Sequence, residues 1–188
     1  MKDDQRVALT KRLLKEGLLR LMEKKSIHKI SVSELCAEAG INRSTFYRYY
    51  NLPKDLLLDI EREVMEGIHM DSWEIRNMRD IVHYCERILT YMEQNAPILK
   101  VLMRNNSDEH LTRMLNTFCD LAFRLKLPIL PVQEMDEESL RLCSAYTVGG
   151  IFCLMREWLL QEVPKTAQEV SALVLKCIDS GVQLYNTP

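Results

Sequence analysis

The sequence is poor in the residues that break helices. Among 188 residues there are six glycines and six prolines. Leu, Glu, Lys, Arg and Met are abundant, a mixture that favours helix. No stretch shows sustained period-two alternation, so a sheet is not expected. No apolar run reaches ~18 residues, the length a membrane helix needs. The opening MKDDQR lacks the apolar core of a secretory signal. The expected setting is therefore cytoplasmic, with no membrane contact.

Chemistry-bearing patterns are scarce too. There is no phosphate-binding glycine loop, dinucleotide fingerprint or nucleophile elbow. His28, His69, His83 and His110 stand apart from one another. His83 and Cys85 lie two apart, so on a helix they face different ways. The six cysteines, at 36, 85, 119, 143, 153 and 177, form no C-x-x-C pair and sit mostly in apolar stripes. An enzyme is not expected, and neither are a catalytic group, a metal site or a cofactor. Buried, reduced thiols are the expectation.

What is present is a charge split. Residues 1–54 hold twelve Lys+Arg against six Asp+Glu, a net +6. The remainder holds thirteen against twenty-one, a net −8. A basic head on an acidic body points to a polyanion met by the head alone.

Within the head, Ser31 to Tyr50 reads SVSELCAEAGINRSTFYRYY. Ser31-Val-Ser-Glu34 is a capping box, with the Ser31 hydroxyl and the Glu34 carboxylate satisfying free amides reciprocally. Leu35, Cys36 and Ala39 mark an inner face, and Gly40 suits a left-handed stop. Asn42 can cap a second short helix. There Phe46 and Tyr50 point inward, while Arg43, Ser44, Tyr47 and Arg48 point mostly outward. This is a helix-turn-helix pattern. A preceding helix over about 6–24 carries Leu9, Leu13, Gly17, Leu18, Leu21 and Met22 on one face, and Gly17 permits close approach of another helix. Pro53 fits the first turn of a fourth helix running to about residue 69.

Helices are expected beyond it over about 78–94, 97–104, 108–125, 137–162 and 166–185, with loops at 70–77, around Asn105 and over 127–136. Helix 137–162 is apolar round much of its circumference, as a helix buried on several sides would be. The expected architecture is all-α, about nine helices in total. A helix-turn-helix DNA-binding domain over residues 1–52 precedes a helical domain over 53–188.

The major groove admits one helix, and its base edges are read by that helix's donors and acceptors. Arg43 suits a bidentate contact with guanine. Ser44 suits a base or a phosphate, and Tyr47 a thymine methyl or a phosphate. Ser31 and Ser33 start the preceding helix, where free amides favour phosphate. Thr45, Arg48, Tyr49 and Lys54 suit the DNA backbone, which sets register while bases set sequence.

The run Ser31-x-x-Glu34-Leu35-Cys36-x-x-Ala39-Gly40-Ile41, then Ser44-Thr45-Phe46-Tyr47-Arg48-Tyr49-Tyr50 and Lys54-Asp55-Leu56-Leu57, resembles the N-terminal domain of TetR-family transcriptional regulators. The resemblance spans residues 6–60. It implies an all-α homodimer on a palindromic operator in double-stranded DNA. It gives base-facing roles to Ser33, Arg43, Ser44 and Tyr47, and backbone roles to Ser31, Thr45, Arg48, Tyr49 and the start of the fourth helix. Many members place a lysine where Pro53 stands. Here Lys54 follows one residue later, about 100° further round the helix. The run Tyr146-Thr-Val-Gly-Gly-Ile-x-x-Leu-Met-Arg-Glu-Trp158 resembles the C-terminal part of a subset of these regulators.

The resemblance implies that the last two helices form the dimer interface. Tyr146, Gly150, Leu154, Trp158, Val174, Cys177 and Ile178 are placed there. It also implies a regulatory body, so that the domain over 53–188 is a ligand-sensing and dimerisation domain. Trp73, Tyr84, Tyr91, Met92, Met103, Met114, Phe118 and Phe123 are candidate pocket residues, although the same pattern describes plain core packing. The leading expectation is a repressor that responds to a small-molecule effector the sequence does not name. The alternatives are control by a protein partner and, remotely, an all-α enzyme.

Overall fold

The structure, a computed structural model, describes residues 2–67, 78–105, 115–116, 136–161 and 165–185. Among these, the regular elements are all helical: α1 (Lys2–Met22), a 3-10 turn (Ile27–Lys29), α2 (Val32–Ala39), α3 (Arg43–Phe46), α4 (Pro53–Gly67), α5 (Met78–Gln94), α6 (Ala96–Asn105), α7 (Glu137–Leu160) and α8 (Ala167–Tyr185). Most of the helix expected over 108–125 lies outside the described residues, although Leu115 and Asn116 are helical.

The chain forms two compact units. One comprises Met1–Met70 with Val101–Asn106, the other Asp71–Lys100 with Ser107–Pro188. The first unit thus continues past residue 52, where the sequence suggests a boundary. The reason is hydrophobic. Leu56, Leu57, Ile60 and Val64 on α4 are all buried, and α4 packs on α1. Leu14, Leu18, Leu21 and Met22 supply the α1 side of that core. Leu14 is fully buried although the sequence stripe passed it over, and Leu9 is 47% exposed. Each fully buried Leu is worth about 1.5–3 kcal/mol against exposure.

Gly17 sets how closely α1 and α2 approach. A Cβ added there would stand 3.1 Å from the Cβ of Ala39. The contact is clamped beside it by Arg20, whose Nε donates to Glu38 Oε1 at 2.6 Å.

In the second unit, α5 packs on α8, and α7 packs on both. Cys85, Ile88, Leu89 and Met92 from α5 are buried, as are Val170, Val174 and Ile178 from α8. Met155, Trp158 and Leu159 from α7 are buried too. The Trp158 indole donates to the Lys165 carbonyl at 2.6 Å, which ties the end of α7 to the start of α8. That start is a complete capping box. Thr166 N–H donates to Glu169 Oε2 at 2.9 Å, and Glu169 N–H donates to Thr166 Oγ1 at 3.3 Å.

This packing corrects part of the expected dimer face. Trp158, Val174 and Ile178 are turned into their own chain's core, at 5%, 0% and 4% exposure. Tyr146, Gly150 and Cys177 are exposed, and Leu154 is half-buried.

Candidate nucleic-acid interface

The helix-turn-helix forms for local reasons. Ser31 has extended backbone and caps α2, its hydroxyl accepting from the Glu34 N–H at 3.2 Å. Glu34 does not reach back as the sequence box suggests. Its carboxylate is taken by Lys25 Nζ at 2.5 Å, and that bond holds it below the usual carboxylate range. The α2 helix ends in a Schellman motif. Gly40 is left-handed at φ 66°, its N–H donates to Ala37 O at 3.3 Å, and Ile41 N–H donates to Cys36 O at 2.9 Å. Both bonds satisfy carbonyls that the helix end would otherwise leave open.

The α3 helix is shorter than the sequence suggests. Its regular part is Arg43–Phe46, and looser turns carry the chain on to Tyr50. Asn42 sits at the cap position with extended backbone, but its side chain makes no capping bond. The helix is held instead from beneath. Phe46 is fully buried and Tyr50 nearly so, their ring centroids 5.8 Å apart. Tyr47 stands edge-on to Phe46 and remains 50% exposed.

One inward pin therefore presents a continuous outer face. Arg43, Ser44, Tyr47 and Arg48 are exposed, and Thr45 and Tyr49 are half-buried at its margins. Ser31 and Ser33 are exposed at the start of α2, and Lys54 is half-buried in the first turn of α4. That turn is fixed by Asp55, whose Oδ2 accepts from the N–H groups of Asn51 and Leu52, each at 2.9 Å.

The charges of this unit are partitioned. Lys11, Lys15, Arg20, Lys25 and Arg62 are paired with Asp59, Glu63, Glu38, Glu34 and Asp59 respectively. Arg43 and Arg48 have no such partner among the described residues. These two arginines thus lack the internal pairing that holds Lys11, Lys15, Arg20, Lys25 and Arg62.

Behind α3 the Tyr50 hydroxyl donates to Asp59 Oδ2 on α4 at 2.8 Å, with Lys11 Nζ 5.7 Å from the Tyr50 ring centroid. Burial opposes the Asp59 charge. The Tyr50 bond and the Lys11, Arg62 and Lys15 cations outweigh it and hold the carboxyl below its usual 3.8. Burial and the same bond push the Tyr50 phenol up. A carboxyl depressed on folding stabilises above its unfolded pKa, and that contribution is lost as pH falls through the folded value. Acid should therefore loosen the α3–α4 seam only below pH 3.8. Denaturation midpoints followed by circular dichroism, from about pH 5 to about pH 2, check this. Asp59→Asn should flatten the lowest part of that profile, and an unchanged slope would remove Asp59 from the account.

The remaining candidates divide. Of the pocket residues, Trp73, Met114, Phe118 and Phe123 lie outside the described residues. Tyr84 and Met92 are buried and Tyr91 half-buried in the second unit, while Met103 is buried in the first. No described feature gathers them into one site. Burial pushes the Cys36 thiol up, and the Cys85 thiol up to about 11, so both stay protonated. No group of three or more His, Cys, Asp or Glu side chains able to hold a metal occurs among the described residues.

Comparison with known proteins bears on both units. Residues 15–60 match the profile of bacterial regulatory proteins of the tetR family, and residues 80–180 that of a transcriptional regulator C-terminal region. A Bacillus subtilis protein named as an HTH-type transcriptional regulator, YxbF, is 25% identical over 99 residues. The match covers 48% of this chain and spans about a quarter of that relative's length. A TetR transcriptional regulator from Streptococcus agalactiae has a similar fold, with a TM-score of 0.69, at 22% identity over 95% of this chain and 98% of that one. The dihydroxyacetone kinase operon activator DhaS aligns with a TM-score of 0.62, at 18% identity over 93% of this chain and 97% of its own.

Proposed function

The chain belongs to the TetR family of bacterial regulatory proteins, and we propose that it is a sequence-specific DNA-binding transcriptional regulator. It acts as a homodimer on a two-fold operator and represses by occupying it. An effector held in the second unit releases it by changing the spacing of the two heads, because half-sites on one DNA face tolerate little change in separation.

One observation carries the reading. Arg43, Ser44, Tyr47 and Arg48 form an exposed face on a helix pinned by Phe46, and its two arginines are unpaired while Lys15, Arg20 and Lys25 are paired. In this reading Arg43 reads a base, Ser33, Ser44 and Tyr47 sit against base edges, and Arg48 grips phosphate with Ser31, Thr45, Tyr49 and Lys54.

The test is a pair of substitutions on fragments selected from upstream DNA. Arg43→Ala should cost about 1–3 kcal/mol at one base position, roughly 5- to 150-fold in affinity, and relax specificity there. Arg48→Ala should weaken selected and random DNA alike. If both variants lose equally on both kinds of DNA, the assignment of base and backbone roles fails. If the parent protein prefers no sequence over competitor, the whole reading fails.

A further inference from the structure

The link between α1 and α2 is more ordered than a spacer requires. Ile27 and Ile30 are buried, at 4% and 6% exposure, and anchor both ends of the 3-10 turn. Lys29 N–H donates to Ser26 O at 2.9 Å, and Ile30 N–H donates to Ile27 O at 3.1 Å. With both isoleucines pulled inward, His28 and Lys29 between them are held outward and exposed. No carboxylate among the described residues pairs with either. Of the two nearest carboxylates in sequence, Glu23 and Glu34, the second is already taken by Lys25 at 2.5 Å. Glu23 and Lys24, adjacent and both exposed at the end of α1, are opposite in sign and largely cancel at a distance.

Lys29 lies two residues before Ser31, whose exposed hydroxyl begins α2. The turn therefore leads directly into the start of α2, within the same compact unit as Arg43 and Arg48. An acidic protein surface would suit the charge equally, but the turn leads within two residues to Ser31, which the reading above sets against phosphate. From these placements we propose that the 3-10 turn Ile27–Lys29 is a second grip on the DNA backbone, with Lys29 and His28 meeting a phosphate outside the bases that α3 reads. This rests on the DNA-binding reading above. A rigid turn suits the task, since little backbone freedom remains to be lost on binding. It also supplies charge close to α2 where Pro53 occupies the first position of α4.

The experiment measures affinity against salt for the full-length protein on its selected DNA. Each neutralised phosphate adds about 0.9 to the slope of log affinity against log salt. Lys29→Gln changes both subunits of a dimer, so the slope should fall by about 1.8 and affinity near physiological salt by roughly 10- to 30-fold. Random DNA should lose as much as selected DNA, because a phosphate contact carries no sequence. Adding His28→Ala should weaken binding further without altering base preference. Thermal unfolding should not change, as both side chains are exposed and unpaired. Lys165→Gln, which removes an exposed cation from the second unit, should leave the slope as it was.

Slope and affinity within twofold of the parent for Lys29→Gln would overturn the proposal while DNA binding itself stands. An equal loss from Lys165→Gln would also overturn it, by reducing the effect to net charge. A parent protein with no DNA preference would instead sink the reading on which the proposal rests.

Discussion

Phe46→Ala should unfold the DNA-binding unit or bring it close to unfolding. Among the described residues the ring is the largest side chain that is completely enclosed, and its centroid lies 5.7 Å from that of Tyr47 and 5.8 Å from that of Tyr50. Truncating a buried Phe costs about 3–5 kcal/mol, from lost transfer energy and the cavity left behind. A whole domain has only about 5–15 kcal/mol to lose. The regular part of α3 is four residues long, too short to hold itself together without tertiary support. Urea denaturation followed by circular dichroism should show the loss directly. Tyr47→Ala, one residue on, is the necessary comparison. Tyr47 is half exposed, so its loss should barely move the midpoint yet should weaken DNA binding. If Phe46→Ala cost less than about 1 kcal/mol, α3 would have to be positioned by something other than this ring.

The same contrast explains which features were legible in the sequence. The helix-turn-helix is written in local chemistry. A serine cap, a glycine that must turn left-handed and an aromatic pair four residues apart each act over one or two turns, and all three stand where the pattern puts them. Errors begin where a distant residue competes. Glu34 could have closed its own capping box, but Lys25, nine residues earlier in sequence, takes the carboxylate. Asn42 could have capped α3, and its side chain does not. The seam behind α3, where Tyr50 meets Asp59 and Lys11, joins three elements and has no local signature. The charge split was visible in the sequence. Which cations remain unpaired was not, because pairing of Lys11, Lys15 and Arg20 depends on how α1 lies against α2 and α4.

In the second unit the difficulty is of another kind. Periodicity tells that α7 and α8 each have apolar faces, but an apolar stripe reads the same whether its own chain or a partner covers it. Trp158, Val174 and Ile178 therefore looked like interface and are core. Leu142, Tyr146 and Leu173 are left outside, at 68%, 75% and 43% exposure.

Those exposed residues lead to the second large effect: Leu142→Glu with Tyr146→Glu should convert a dimer into a folded monomer that has nearly lost its operator. Leu142, Tyr146, Gly149 or Gly150, and Cys153 recur at three and four residues along α7, so they share one side of that helix. Leu173 and Cys177, four apart, do the same on α8. With Cys153 and Cys177 also exposed, each of the two helices carries an exposed apolar stripe, the kind of feature that marks a protein contact site. In a two-fold assembly each patch meets its own copy, so one substitution places two carboxylates at the seam. Because both side chains are solvent-facing within the chain, helix content and thermal unfolding of the isolated chain should survive. Sedimentation should fall to the mass of a single chain. Operator affinity should drop by about 10²–10⁴-fold, since a monomer loses the effective concentration that the first bound head gives the second. Trp158→Ala separates this from general damage. That indole is 5% exposed and bonded to Lys165 O, so its loss should lower stability by about 3–5 kcal/mol, with any loss of dimer following from unfolding. A double-glutamate variant that still sediments as a dimer would move the interface to another face. It would also leave the exposed stripe of α7 and α8 without an occupant.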